Sequence, residues 1–173
     1  RELPDEFELY KKTGSFFKDS FTFVTPGYSV RPLEMSGAIG SVQLKKWPEL
    51  LEQRLENYRY FEELFGNVDF MRMQKVKHGE STWFSFGCVL QGHLKGRRDE
   101  VVNAFESNGI EARPLASGNF LTQPVTKLLP HYDHGNYTGA EDIDENGFWV
   151  GNHSTDCKEG IEKMYNVMKG ISR

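Results

Sequence analysis

Three short stretches of this 173-residue sequence set polar side chains inside apolar context, and chemistry would be sought there first. In "PGYSVRP", Tyr28, Ser29 and Arg31 lie on an extended turn just ahead of a helix start. Side-chain donors and free backbone N–H groups can meet an anion at such a place; a surface turn that only caps a helix would read the same way. In "ARPLASGNF", Arg113 leaves a strand for a Gly-Asn turn at Gly118 and Asn119, as residues at a pocket mouth often do. "NGFWVGNH", Asn146 to His153, flanks an apolar strand with polar residues, and turn residues at strand ends explain it more simply. Other chemistry is scarce. The five histidines show no zinc-ligand spacing with an acid or thiol, and "HYDH" reads as a polar turn. No phosphate-cradling Walker loop and no G-x-S-x-G elbow is present. Cys88 and Cys157 are far apart and read as structural residues. They form no disulfide framework, which fits a reducing, cytoplasmic setting.

The elements that must position these stretches are those of an α+β domain. Net charge is −4, with 38% hydrophobic and 27% charged residues. That balance leaves no footprint for nucleic acid or anionic membrane, and no apolar run is long enough to span a bilayer. Residues 1–24 read as irregular, with a short strand at most at "FTFV". A helix opens near Pro32 and carries Leu33, Ile39, Val42 and Leu44 as far as Trp47, where Pro48 stops it or opens the next one. Its first half holds Ser36, Gly37, Ala38, Gly40 and Ser41. Each helical Gly costs about 1 kcal/mol relative to Ala, so this small-residue patch calls for a close neighbour. From Glu49, apolar residues at three- and four-residue spacing (Leu51, Leu55, Tyr58, Phe65) predict a long connecting helix, with Gly66 as a left-handed cap. Strands follow at "VDFMRM", at Thr82–Leu90 and at "IEAR", the second apolar on both faces. A helix over 97–108 turns Val101, Val102 and Phe105 inward and ends at Gly109. The long stretch 114–139 holds at most one helical turn, at 124–129; loops of that length are usually functional or disordered, and its aromatic and leucine content argues for order. A short helix, the strand "FWVGN" and a terminal helix over 156–171 complete a small antiparallel sheet with helices on one face.

"GYSVRPLEMSGAIGSVQLKK", "STWFSF", "GIEARPLASGNFLTQP" and "ENGFWVGNH" occur here in order, and together they resemble the C-terminal half of the DegT/DnrJ/EryC1/StrS family of sugar aminotransferases. The likeness covers nearly the whole chain. The Gly-Asn turn and the "FWVG" strand are more specific: they resemble the branch that removes a 3-hydroxyl from nucleotide-linked 4-keto-6-deoxysugars, as in deoxysugar and lipopolysaccharide O-antigen biosynthesis. One type in that branch carries an iron–sulfur cluster on cysteines just upstream of the Gly-Tyr turn, and residues 1–27 contain no cysteine.

The resemblance implies the small C-terminal domain of a fold-type I enzyme that uses pyridoxal or pyridoxamine phosphate. Residues 1–47 would end the large cofactor-binding domain, 48–66 would form the connecting helix, and 67–173 the small domain. It implies a homodimer with the active site at the subunit interface, and the small-residue helix then packs near that contact. Ser29 stands where family members carry an Asn that donates to the cofactor phosphate of the neighbouring subunit; a serine is a shorter donor. Arg31 matches the family, and its guanidinium suits a phosphate or nucleotide oxygen. Tyr28, Arg113, Gly118, Asn119 and Phe120 would face the sugar nucleotide, with a guanine nucleotide preferred by likeness and glutamate as amino donor. The family's cofactor acid, phosphate serine and proton-transferring Lys or His lie upstream, so no catalytic residue is assigned to these 173 residues, and Lys45 and Lys46 are not at the cofactor-lysine position. Two alternatives remain open: a sugar-nucleotide 4-aminotransferase of the same family, or a dimerising module that binds no cofactor. For the isolated 173 residues the second is the expected state, with residues 25–47 self-associating or partly disordered.

Overall fold

The central strand Ser85–Leu90 is buried along almost its whole length, and it organises the sheet. The computed structural model describes residues 14–23, 26–27, 33–132 and 135–171. Its four strands are Met71–Met73 (β1), Ser85–Leu90 (β2), Ala112–Arg113 (β3) and Gly147–Gly151 (β4), all antiparallel, in spatial order β1-β2-β4-β3. The register pairs Met71 with Leu90, Cys88 with Phe148, and Arg113 with Trp149. Phe86, Cys88 and Leu90 therefore share one face of β2, and Gly87 and Val89 the other. Both faces are covered, as the apolar run predicted.

Among the described residues the α-helices are Phe16–Asp19 (α1), Glu34–Phe65 (α2), Arg98–Ser107 (α3), Thr138–Asn146 (α4) and Lys158–Ile171 (α5). The three longest pack on the Phe86 face. Phe61 of α2 stacks on Phe86 at 4.2 Å and on Phe65 at 4.6 Å, while Phe105 of α3 meets the Phe148 ring edge-on at 5.6 Å. From α5, Ile161, Met164 and Met168 complete the core at the helical spacing read from sequence. The second face is closed by Leu115 and α4. Gly147 is required there: a Cβ would run into the Ile143 main-chain carbonyl, with the Leu115 side chain 2.8 Å away.

Four local expectations are corrected. α2 runs unbroken through Pro48. Proline removes one hydrogen bond, to the Leu44 carbonyl, and residues 33–49 are all exposed, so water can donate to that carbonyl instead. Gly66 ends the helix at φ −61°, not in the left-handed region; a Cβ would sit 2.6 Å from the Glu62 carbonyl oxygen, which is why glycine suits the position. β2 starts at Ser85 rather than Thr82 because Trp83 takes φ +49°. The long loop holds two 3-10 turns, Phe120–Thr122 and Pro124–Leu128, where at most one, at 124–129, was expected. Among the described residues of "FTFV" no strand forms, although Phe23 exchanges two hydrogen bonds with the 123–125 segment. Gly109 does cap α3 left-handed, at φ +71°.

The N-terminal half of α2 stands open. Leu33, Met35, Ile39 and Leu44 are exposed, the last at 70%, and a Cβ added at Gly37 or Gly40 would meet nothing within 4 Å among the described residues.

Asp142 of α4 ties the second face together. It accepts from Lys95 at 3.1 Å, Arg72 at 3.2 Å and Asn146 at 3.1 Å. The Lys95 hydrogen bond, chiefly, holds its carboxyl below the usual carboxylate range, helped by the nearby Lys95 and Arg72 charges. A depressed folded pKa contributes stability that is present above the unfolded value near ~4 and is lost as pH falls through the folded value. D142N is therefore expected to be less stable than wild type at pH 7 and equal to it at the lowest pH where both stay folded. Denaturant titrations at several pH values check this; a difference independent of pH would contradict it.

Candidate substrate-facing site

The loop after β3 is fastened to α4 at a glycine. Gly118 has φ +54°, and a Cβ there would lie 2.8 Å from the Asp144 Cα, so only glycine lets the loop backbone approach the helix. The Gly118 amide donates to the Leu115 carbonyl at 2.9 Å, and Ala116 between them also takes a positive φ, +46°. Asn119 is buried. Its Oδ1 accepts from the Leu121 amide at 3.2 Å, capping the following 3-10 turn. Thr122 adds a bond from Oγ1 to the Asn119 carbonyl at 2.8 Å and a longer one to Asp144 at 3.4 Å. Gly118 and Asn119 thus shape the loop with their own atoms, and the Phe120 side chain is left exposed.

Phe120 meets Phe23, with ring centroids 6.1 Å apart. The Phe23 amide donates to the Gln123 side-chain oxygen at 2.9 Å, and the Phe23 carbonyl accepts from the Val125 amide at 3.0 Å. The loop carrying Gly118–Phe120 is thereby joined to the segment that leads, through Pro26 and Gly27, to the anion-suited turn. Tyr28, Ser29 and Arg31 themselves lie outside the described residues.

Arg113 sits elsewhere, on a groove of about 700 Å³ that also includes Phe84, Trp149, His153 and Lys163 but none of Gly118, Asn119 or Phe120. Its guanidinium lies 5.5 Å over the Trp149 ring and is paired with Glu111 at 2.7 Å. Phe84 is 5.8 Å from Trp149 and is itself covered by Arg54 at 5.6 Å. The structure therefore brings Phe23, of the "FTFV" stretch, against Phe120 of the second flagged segment, and joins the start of that segment to the third through Arg113–Trp149.

In "NGFWVGNH" the polar residues hold the fold. Asn146 accepts from the Gly96 amide at 2.7 Å. Asn152 donates to the Arg54 carbonyl at 3.0 Å and the Trp83 carbonyl at 2.8 Å. Asn152 also accepts from Asn57, a residue that no sequence motif singles out. Asn57 donates to Asn152 at 3.0 Å and to the carbonyls of His153 and Thr155 at 3.1 and 2.8 Å, and it accepts from the Cys157 amide at 3.1 Å. The signal was a polar residue on the buried stripe Asn57–Phe61–Phe65, where spacing puts every side chain inward. Cys88 is fully buried, which pushes its thiol well above the ordinary range and makes it inert. Tyr58, stacked on Trp83 at 3.6 Å, has its hydroxyl pushed up to about 12, first by burial and then by Glu62.

Every described lysine is exposed, whereas a lysine that forms a Schiff base is activated by desolvation or a neighbouring cation. Among the described residues no group of three His, Cys, Asp or Glu could hold a metal ion, and no helix is long and apolar enough to cross a membrane.

The model of the DegT/DnrJ/EryC1/StrS aminotransferase family matches residues 1–169. The chain belongs to that family. A GDP-4-keto-6-deoxy-D-mannose 3-dehydratase of Yersinia pseudotuberculosis is 45% identical over 171 residues, 98% of this chain and 43% of the relative. A crystal structure of a mutant GDP-4-keto-6-deoxymannose-3-dehydratase with bound GDP-perosamine is 40% identical, with TM-score 0.73, covering 91% of this chain and 41% of that one. A second structure of GDP-4-keto-6-deoxymannose-3-dehydratase, with a trapped PLP-glutamate geminal diamine, is 41% identical with TM-score 0.73, covering 90% and 40%. The chain thus spans less than half the length of these family members. Its fold is that of PLP-dependent fold-type I enzymes, with the small antiparallel sheet expected from sequence.

Proposed function

We propose that this chain contributes its α+β domain and the α2 helix to a pyridoxal/pyridoxamine phosphate-dependent 3-dehydratase acting on a GDP-linked 4-keto-6-deoxy sugar. The observation that carries the reading is 45% identity to such a dehydratase along 98% of the chain. The cofactor, bound mainly by residues this chain does not supply, provides the electron sink. The chain's own part is binding and orientation. Arg31 offers a fork to a phosphate or nucleotide oxygen, and Ser29 a short donor to the cofactor phosphate, with Tyr28 beside them. Gly118 and Asn119 hold their loop in shape so that Phe120 faces the sugar nucleotide, while Arg113, held on Trp149 and paired with Glu111, lines a separate groove.

Replacing the C3 hydroxyl by hydrogen is a two-electron reduction, and oxidation of glutamate to 2-oxoglutarate supplies the two electrons. The glutamate nitrogen leaves as ammonia. In a 4-aminotransferase it stays on the sugar instead. Full-length protein given the GDP-linked 4-keto sugar and glutamate should release about one ammonia per 2-oxoglutarate. Formation of 2-oxoglutarate without ammonia would favour the aminotransferase, and neither product would sink both readings.

The exposed α2 stripe supports a homodimer built through this helix. The isolated chain should self-associate at micromolar concentration, and Ile39→Glu should return it to monomer in sedimentation runs. A wild-type chain that stays monomeric at high concentration, with residues 34–47 protected from hydrogen exchange, would contradict this.

A further inference from the structure

Phe23 is held on both sides of its peptide by one short segment, and only one of the two bonds is open to substitution. The Val125 bond is main chain; the other is made by the Gln123 side-chain oxygen. The Phe120 turn is already fixed from behind by the Asn119 cap and by the close approach of Gly118 to Asp144. Phe23 is placed by one main-chain bond and one side chain, and only the side chain can be exchanged. Both rings are substantially exposed, 42% and 45%, so their pairing is not enforced by burial in a core. Gln123 spends its acceptor on this contact although glutamine ordinarily gains little from an exposed hydrogen bond.

We propose that Gln123 is a positioning residue for the sugar-nucleotide site: by fixing the Phe23 backbone it holds the Phe23 ring against Phe120, so that the two make one aromatic wall against a ring of the bound nucleotide sugar. The inference rests on the nucleotide-sugar reading above and adds to it how the wall is held. Aromatic stacking of this kind acts on binding of the ligand as a whole, so its loss appears in KM more than in kcat.

The test compares Gln123→Met, similar in length but without the strong acceptor, with Gln123→Glu, which keeps an acceptor, in the full-length protein carrying this chain. Q123M should raise KM for the GDP-linked 4-keto sugar about tenfold with kcat within about twofold, speed hydrogen exchange at the Phe23 amide, and leave the thermal midpoint nearly unchanged. Q123E should stay within about threefold of wild-type KM. In a double-mutant cycle, Q123M should add little to Phe120→Ala, since both remove the same wall. Fully additive effects, equal impairment of Q123M and Q123E, or an unchanged KM in Q123M would overturn the proposal alone. A wild-type protein that neither binds GDP nor turns over the sugar nucleotide would overturn the functional reading, and the proposal with it.

Discussion

Asn57→Ala is expected to destabilise the domain by about 3–4 kcal/mol, more than an ordinary polar-to-alanine change because the side chain is buried and fully bonded. The carboxamide joins α2 to the turn between β4 and α5, with three donated and two accepted hydrogen bonds. Removing it strands the Asn152 oxygen and the Cys157 amide at the base of α5, and each buried orphan costs roughly 1–3 kcal/mol. Water entering the small cavity offsets part of that. In a domain of this size the thermal midpoint should drop by about 10 °C. Glu56→Ala, one residue away and exposed, should change stability by no more than about 0.5 kcal/mol. A loss below about 1 kcal/mol for N57A in denaturant unfolding would mean that the network is not what fastens α5 to α2.

Gly118→Ala is expected to cost about 2–4 kcal/mol and to weaken sugar-nucleotide binding in the full-length protein. Part of the loss comes from the left-handed backbone, which a Cβ disfavours by about 1 kcal/mol or more. The rest comes from contact with α4: the new methyl would lie 2.8 Å from the Asp144 Cα, so loop or helix must shift. Because main chain is in the way, adding Asp144→Ala should not restore stability. Full rescue by that second change would show that only the Asp144 carboxylate, and not the backbone approach, excludes a side chain. The shift would also move Phe120, so KM should rise while the core-facing α5 contacts stay intact.

Periodicity made the buried elements legible. Ile161, Met164 and Met168 recur at helical spacing and face the core, and β2 reads as apolar on both faces because both are covered. Local rules failed where the tertiary setting changes what a residue costs. Pro48 reads as a break, yet α2 continues because Phe61 and Phe65 anchor its C-terminal half and the orphaned carbonyl faces solvent. Trp83 reads as strand; its left-handed backbone is compensated by stacking on Tyr58 and by Asn152 at its carbonyl. The Gly-Asn turn was legible as a feature, whereas the inward cap made by Asn119 was not, since it depends on the Phe120–Thr122 turn that follows. The Phe23–Gln123 contact joins residues 100 apart, and no short-range pattern announces it.

The identity of the sugar product separates a dehydratase from an aminotransferase. Full-length protein carrying this chain, incubated with GDP-4-keto-6-deoxymannose, glutamate and the cofactor, should yield a GDP sugar whose C3 has become a methylene, visible as a new pair of upfield geminal protons in the NMR spectrum. A product that keeps the C3 hydroxyl and carries nitrogen at C4 would contradict the dehydratase account and assign this chain to an aminotransferase.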